Sequence, residues 1–197
     1  MSRVRALRRE EFSPELREST ASIADEDLGH LRVFANSPGI AVAWINFLDG
    51  LREGGTLPSD LIELVRLRIA FHNQCPHCMA VRFDDGVSEA VVCSLEKPEE
   101  SPDLTDLQQA ALRFADAMAT NHFAIDEAMY DDLRAYFTES QLVELGIQAA
   151  VFVGFGRLGF SWHVTDDIPE RYGQAAPGEL HFGSDSVRIG HRDRATA

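Results

Sequence analysis

The residues with the clearest chemistry are Cys75-Pro76-His77-Cys78, in which two thiols lie three positions apart. Cysteines at this spacing can form and break a disulfide. A tetrahedral zinc site needs about four ligands, and neither a second cysteine pair nor a spaced histidine pair accompanies this one. The motif therefore predicts redox chemistry at the two thiols, and we expect neither a metal nor a cofactor.

Pro76 predicts that the motif opens a helix. Proline suits the first helical turn, since the N–H that it lacks would be unpaired there anyway. Cys75 is then near the N-cap and Cys78 near the third helical position. A helix N-terminus or a neighbouring cation lowers the pKa of a cysteine and so favours the thiolate, which is the nucleophile.

Charged and titratable residues near the motif are candidates to assist the thiols. Arg82 follows Cys78 by four residues, so on a helix starting at Pro76 it would share that cysteine's face and stabilise its anion. His77 and His72 are titratable neighbours. Glu63 lies on the approaching segment, where a carboxylate could orient a histidine or a water for proton transfer.

Each of these residues also has an ordinary structural interpretation. Glu63 is correctly spaced for an i, i+3 salt bridge with Arg66. Arg82 fits a surface or interface charge equally well, and His72 fits a structural role. Cys93 lies on an apolar segment and is predicted to be a buried core thiol. Three glycines in the last long helix are predicted to permit close packing, since no strand precedes them to form a nucleotide loop: Gly154, Gly156 and Gly159.

The elements that position these residues are predicted to be helical, because helical periodicity dominates and alternating β-branched runs are few. The predicted helices cover residues 40–51, 61–74, 87–95, 105–119, 125–137 and 140–164, with one more beginning at the Cys75 motif. The predicted N-caps are Ser59 or Asp60, Thr105 in a capping box with Gln108, and Ser140. Residues 1–24 are predicted to form an arm over the body, and residues 169–197 a tail whose last residues are mobile.

Composition limits the classes of function. A chain of 197 residues fits one domain. The net charge of −14 argues against binding to nucleic acid, since phosphates attract basic surfaces. No apolar run is long enough to span a bilayer, and no apolar stretch follows the N-terminal arginines as in a secretory signal. Three cysteines, an odd number, do not resemble a secreted disulfide framework, so we expect a cytoplasmic protein with no membrane partner.

Glu63, eleven intervening residues and then Cys75-Pro76-His77-Cys78 resemble the signature of the AhpD-like alkylhydroperoxidases, within the carboxymuconolactone decarboxylase superfamily. The segment from Leu57 through the helix that carries Glu63 is similar to the family's lead-in helix. The resemblance covers roughly residues 35–168. It implies an all-α fold, a single-domain helical bundle over residues 25–168 with the CxxC at a helix N-terminus. It also implies a homo-oligomer, either a trimer or a multiple of it, or a dimer.

The resemblance also implies roles for individual residues. Cys78 would attack the hydroperoxide, Cys75 would resolve the sulfenic acid, and Glu63 would act in the proton relay. His77 matches the histidine that some members carry between the cysteines. The family's other histidine is replaced by Arg82, which stays protonated and therefore cannot accept the thiol proton.

The expected function is therefore a thiol-dependent hydroperoxide reductase, with a hydroperoxide as substrate and an external dithiol as reductant. His77 or His72 would have to act as the base, or the thiolate would have to form without one. Two alternatives stay open. One is a non-catalytic or redox-sensing oligomer of the same fold, and the other is a carboxymuconolactone-type decarboxylase, although the decarboxylases proper do not rely on the CxxC.

Overall fold

The computed structural model describes residues 2–189 of the chain. This part contains ten α-helices and one pair of short strands. The helices are α1 (Pro14–Ser19), α2 (Leu31–Phe34), α3 (Pro38–Gly54), α4 (Ser59–Asn73), α5 (Pro76–Ala80), α6 (Glu89–Ser94), α7 (Asp106–Thr120), α8 (Glu127–Arg134), α9 (Glu139–Trp162) and α10 (Glu170–Gln174). Strands β1 (Val81–Arg82) and β2 (Val187–Arg188) pair in parallel.

Helix α4 lies at the centre of the fold. One side of it, which includes Leu61, Val65 and Ile69, packs with apolar residues of α7 and α9 in the first core cluster. The other side, which includes Leu64 and Leu67, packs with α5, α6 and the C-terminal segment in a second cluster. A helix that is apolar on more than one side is expected at the core. The buried helix α4 therefore delivers the Cys75 motif at its C-terminal end.

The predicted helices are confirmed, with corrections at several ends. Thr105 and Gln108 form the predicted capping box at the start of α7. The N-cap of α9 is Thr138, which forms a capping box with Gln141, so the prediction of Ser140 was two residues late. Helix α4 begins at Ser59, with Pro58 in the N-cap position and no side-chain cap, so neither Ser59 nor Asp60 is the N-cap.

Both terminal segments fold onto the helical body. Leu7, Phe12 and Leu16 are buried in a third apolar cluster with residues of α3. At the other end, Tyr172 and Phe182 belong to the second cluster beside α4. The described part of the predicted tail, residues 169–189, is thus anchored to the body through Tyr172, Leu180 and Phe182. The mobility predicted for the last residues falls on 190–197, outside the described residues. The domain boundaries after residues 24 and 168 stay predictions.

The expectation that no apolar run is long enough to span a bilayer is wrong for α9, the one helix in the described part of the chain that is long and apolar enough, by length and composition, to cross a membrane. Core helices of soluble proteins can pass the same test of length and composition. Several of its residues, among them Leu145 and Ala149, are fully buried against α4 and α7. Its apolar character is therefore explained in part by packing inside the bundle.

Candidate redox site

Cys75 and Cys78 are joined by a disulfide at the start of α5. Gln74 ends α4 in the left-handed conformation, with φ 49°, and turns the chain sharply into the motif. As predicted, Cys75 is the N-cap of α5, and its Sγ accepts a hydrogen bond of 3.3 Å from the N–H of Cys78. Cys75 is fully buried, whereas Cys78 is partly exposed. Cys78 is therefore the cysteine that an external reagent reaches first.

Glu63 is buried in a salt bridge with Arg66, which is the structural alternative for this residue. The Arg66 Nε and Nη2 atoms donate to the two carboxylate oxygens of Glu63, each at 2.7 Å. Arg66 also donates to the carbonyl oxygens of Cys78, at 2.8 Å, and Val81, at 2.7 Å. The N–H of Phe83 donates to Glu63 at 3.0 Å. The pair thus ties α4 to both ends of the turn that carries Cys78.

Arg82 does not share a helix face with Cys78, which corrects the sequence prediction. Helix α5 ends at Ala80 because the chain becomes extended at Val81 and pairs with β2. The Arg82 side chain is completely buried, and its Nε and Nη2 atoms donate to Glu89 at 3.1 and 3.0 Å. Its Nη1 donates to the Met79 carbonyl at 2.6 Å. The charge of Arg82 is therefore compensated by Glu89, and a role as stabiliser of the Cys78 thiolate stays a prediction.

His77 lies next to a second histidine, His30, whose part in the site the sequence analysis missed. The two ring centroids are 4.4 Å apart. Burial lowers the pKa of His77 well below its ordinary value, and the neighbouring His30 and Arg66 lower it further. Burial alone lowers the pKa of His30 to about 4. Both rings are therefore neutral at pH 7.

The site can also be compared with known proteins. No family profile matches the chain. Two uncharacterized proteins of Mycobacterium tuberculosis, from strains CDC 1551 / Oshkosh and ATCC 25618 / H37Rv, are each 33% identical to it over 111 residues, or 53% of this chain. The chain spans only 38% of the length of these curated relatives.

Solved structures resemble the whole fold more broadly. An alkylhydroperoxidase AhpD core from Ralstonia eutropha JMP134, an uncharacterized peroxidase-related protein, matches with a TM-score of 0.73 and 18% identity over 88% of this chain and 97% of its own. The chain has the AhpD-like fold. The debrominase Bmp8 in complex with 2,3,4-tribromopyrrole matches with a TM-score of 0.66 and 16% identity, over 85% of this chain and 94% of its own. The predicted all-α bundle with the CxxC at a helix N-terminus is confirmed.

In this AhpD-like fold, α9 passes directly behind the disulfide at Gly159. A Cβ added at Gly159 would lie 3.1 Å from the Sγ of Cys75 and 2.9 Å from the Nε2 of His30. One turn earlier, a Cβ added at Gly156 would overlap the side chain of Asn73. The glycines at these two positions permit close packing, as predicted, and Gly159 borders the sulfur of Cys75. A Cβ added at Gly154 would meet nothing within 4 Å, so the prediction of close packing was wrong at that position.

His72 points into a different cluster. Its Nε2 lies 2.7 Å from the Oδ1 of Asp116 on α7, and Arg68 bonds the same carboxylate. Although burial raises the pKa of Asp116, the hydrogen bonds from His72 and Arg68 hold it below its ordinary value. His72 is therefore engaged in tying α4 to α7, as its structural interpretation predicts.

Cys93 is exposed, so the prediction of a buried core thiol was wrong. In the short helix α6 the buried residue is its neighbour Val92, and Cys93 lies on the outer face. Partial burial and the nearby Glu89 and Glu96 raise the pKa of the Cys93 thiol. No group of three or more His, Cys, Asp or Glu side chains within residues 2–189 is arranged to hold a metal ion.

Proposed function

We propose that the protein is a thiol-dependent hydroperoxide reductase that cycles Cys75 and Cys78 between dithiol and disulfide. The observation that carries the proposal is the pairing of a partly exposed Cys78 with a buried Cys75 at the start of one helix. An attacking thiol has to be accessible, whereas a resolving thiol has only to reach its partner. The AhpD-like fold supports the same class of chemistry.

In the proposed cycle the Cys78 thiolate attacks the O–O bond of a hydroperoxide. The Cys78 sulfur forms a bond to one oxygen and becomes a sulfenic acid, and the other oxygen leaves as an alcohol or as water. Cys75 then attacks the Cys78 sulfur, the S–O bond breaks, and the oxygen leaves as water with the proton of the Cys75 thiol as the disulfide forms. An external dithiol reduces the disulfide and is itself oxidised, which returns both thiols.

The contacts of residues around the pair support this cycle by holding the motif in place. Arg66 bonds the Cys78 carbonyl, and Glu63 compensates the buried charge of Arg66. The N–H of Cys78 donates to Cys75 Sγ and would favour a thiolate on that sulfur when the disulfide opens. A relay role for Glu63, a cytoplasmic location and a homo-oligomeric assembly belong to the same proposal.

The test is consumption of cumene hydroperoxide by the reduced protein with excess dithiothreitol. We expect repeated turnover that is abolished in Cys78→Ser and reduced in Cys75→Ser. Cys93→Ser is the matched control, since this thiol is exposed and outside the pair, and it should turn over like the parent protein. Mass spectrometry should find the Cys75–Cys78 bond after peroxide treatment.

Three outcomes would overturn the proposal. A disulfide that forms once without turnover would favour a redox sensor. A disulfide-free protein after peroxide would remove the redox role altogether. A decarboxylase activity that survives Cys78→Ser would place the protein in the other branch of the superfamily.

A further inference from the structure

The turn before α2 places His30 against His77 of the redox motif. Gly29 has φ +44°, a conformation that glycine adopts at no steric cost. A Cβ at Gly29 would lie 2.8 Å from Cε1 of His77, so the close approach of the two residues also requires that position 29 has no side chain. The next residue, His30, packs its ring on His77 and lies 6.4 Å, between ring centroids, from Trp162 of α9.

His30 Nε2 is a buried polar atom with no hydrogen-bond partner within residues 2–189. An unpaired buried nitrogen is costly, so its presence calls for an explanation. This atom and Cys75 Sγ both lie near the Cβ position of Gly159, at 2.9 and 3.1 Å, so they are within about 6 Å of each other. The absence of a side chain at Gly159 leaves the two atoms facing the same point.

The disulfide leaves the Cys75 sulfur without a proton to donate to this nitrogen. In a disulfide Cys75 carries no proton, whereas in the dithiol form its S–H can donate to a neutral imidazole nitrogen. Two other candidate bases near α4 are already engaged, because Glu63 is bonded by Arg66 and His72 is bonded to Asp116. The third, His77, packs its ring on His30, with the ring centroids 4.4 Å apart. His30 Nε2 is thus a free acceptor beside the buried thiol.

We propose that His30 accepts the proton of the Cys75 thiol during the resolving step. The proposal rests on the proposed peroxidase cycle. His30, protonated on Nδ1, takes the thiol proton at Nε2 while Cys75 Sγ attacks the sulfur of the Cys78 sulfenic acid. The S–O bond breaks, and the leaving hydroxide takes the proton from His30 Nε2 and departs as water. His30 returns to the neutral form, Cys75 is oxidised, and the sulfenic sulfur of Cys78 is reduced to the disulfide level.

The experiment measures how long the sulfenic acid survives. Reduced protein is mixed with one equivalent of cumene hydroperoxide and quenched at intervals with dimedone, which labels sulfenic acids, and labelled Cys78 is quantified by mass spectrometry. General-base assistance contributes about 10²- to 10⁴-fold, and a pKa of about 4 makes His30 a weak base, so we expect the lifetime of the sulfenic acid to lengthen by about 10²-fold, the lower end of that range, in His30→Gln. The rate at which it forms should not change.

Matched variants separate proton transfer from packing. His122→Gln alters an exposed histidine far along the chain, and in this variant the Cys78 sulfenic acid should disappear at the same rate as in the parent protein. His30→Ala should be slow, and added imidazole should restore its rate, which a purely structural defect would not allow. The proposal would be overturned if a folded His30→Gln protein converted the sulfenic acid to the disulfide at the parent rate. It would also be overturned if imidazole did not restore that rate in folded His30→Ala.

A second reaction distinguishes a failure of the role of His30 from a failure of the peroxidase proposal. Glutathione disulfide replaces the peroxide, forms a mixed disulfide at Cys78, and requires the same attack by Cys75 to release glutathione. If the parent protein forms no sulfenic acid, the peroxidase proposal fails. A mixed disulfide that persists in His30→Gln and not in His122→Gln would still support the role of His30, and equal lifetimes would refute it.

Discussion

The buried Arg66–Glu63 pair gives the sharpest prediction about how the motif is held. In Arg66→Met, Glu63 loses its cation while it stays almost entirely buried, with 3% of its side chain exposed. Removing one partner of a buried pair typically costs about 3 to 5 kcal/mol, because the remaining charge is stranded away from water. The carbonyls of Cys78 and Val81 lose their donors as well. We therefore expect the free energy of unfolding to fall by at least that amount.

Urea unfolding at pH 7, followed by circular dichroism, measures the loss. The control is Arg113→Met, which breaks an exposed ion pair with Asp132 at 3.5 Å and should cost at most about 1 kcal/mol. The double variant Glu63→Gln/Arg66→Met should be more stable than Arg66→Met alone, because the amide carries no charge and can still accept from Phe83 N–H. A cost for Arg66→Met no larger than the control, or a double variant less stable than the single, would refute this account.

Two further predictions concern Arg82, a buried charge, and His30, a neutral ring whose pKa is lowered by burial. Arg82→His should lower the thermal midpoint rather than speed peroxide turnover, because it strands Glu89 and removes the donor to Met79; faster turnover in a stable variant would contradict this. The free energy of unfolding should also fall as the pH is lowered. In the unfolded chain His30 takes up a proton below its ordinary pKa of 6.5, whereas in the folded protein it does so only near pH 4. The stabilisation present above pH 6.5 is therefore lost as the pH drops from 6.5 towards 4. This residue alone should cost about 2 kcal/mol between pH 7 and pH 5, and urea titrations of His30→Gln should show a correspondingly weaker pH dependence, which an unchanged slope would disprove.

The helices and the motif's local geometry could be predicted because their signals are local. Apolar periodicity located α4 and α9, and Pro76 was enough to place Cys75 at an N-cap. The capping box of Thr105 is likewise a pattern contained in four residues. The capping box of Thr138 and Gln141 is just as local, but it was missed because Ser140 was taken as the N-cap of α9.

The site residues that were missed depend on contacts between distant segments. Arg82 was placed on a helix because nothing local announces that β2 will pair with β1 and end α5 early. His30 has no fixed spacing to the motif, and its position becomes clear from the packing of its ring on His77 in the folded protein. For Cys93, an apolar neighbourhood was mistaken for burial, although a short amphipathic helix turns one side outward.

The segment from Leu180 to β2 has a consequence for how the protein matures on the ribosome. Gln74, the residue before the motif, donates to and accepts from the backbone of Leu180, while Ser186 bonds Glu89, the partner of Arg82. The chain on both sides of the cysteines is therefore fastened by residues that are synthesised about a hundred positions later. During translation the two cysteines emerge long before the contacts of Leu180 and Ser186 can form. The nascent chain thus carries an unfastened thiol pair, and the redox turn acquires its final surroundings only after residue 188 has left the exit tunnel.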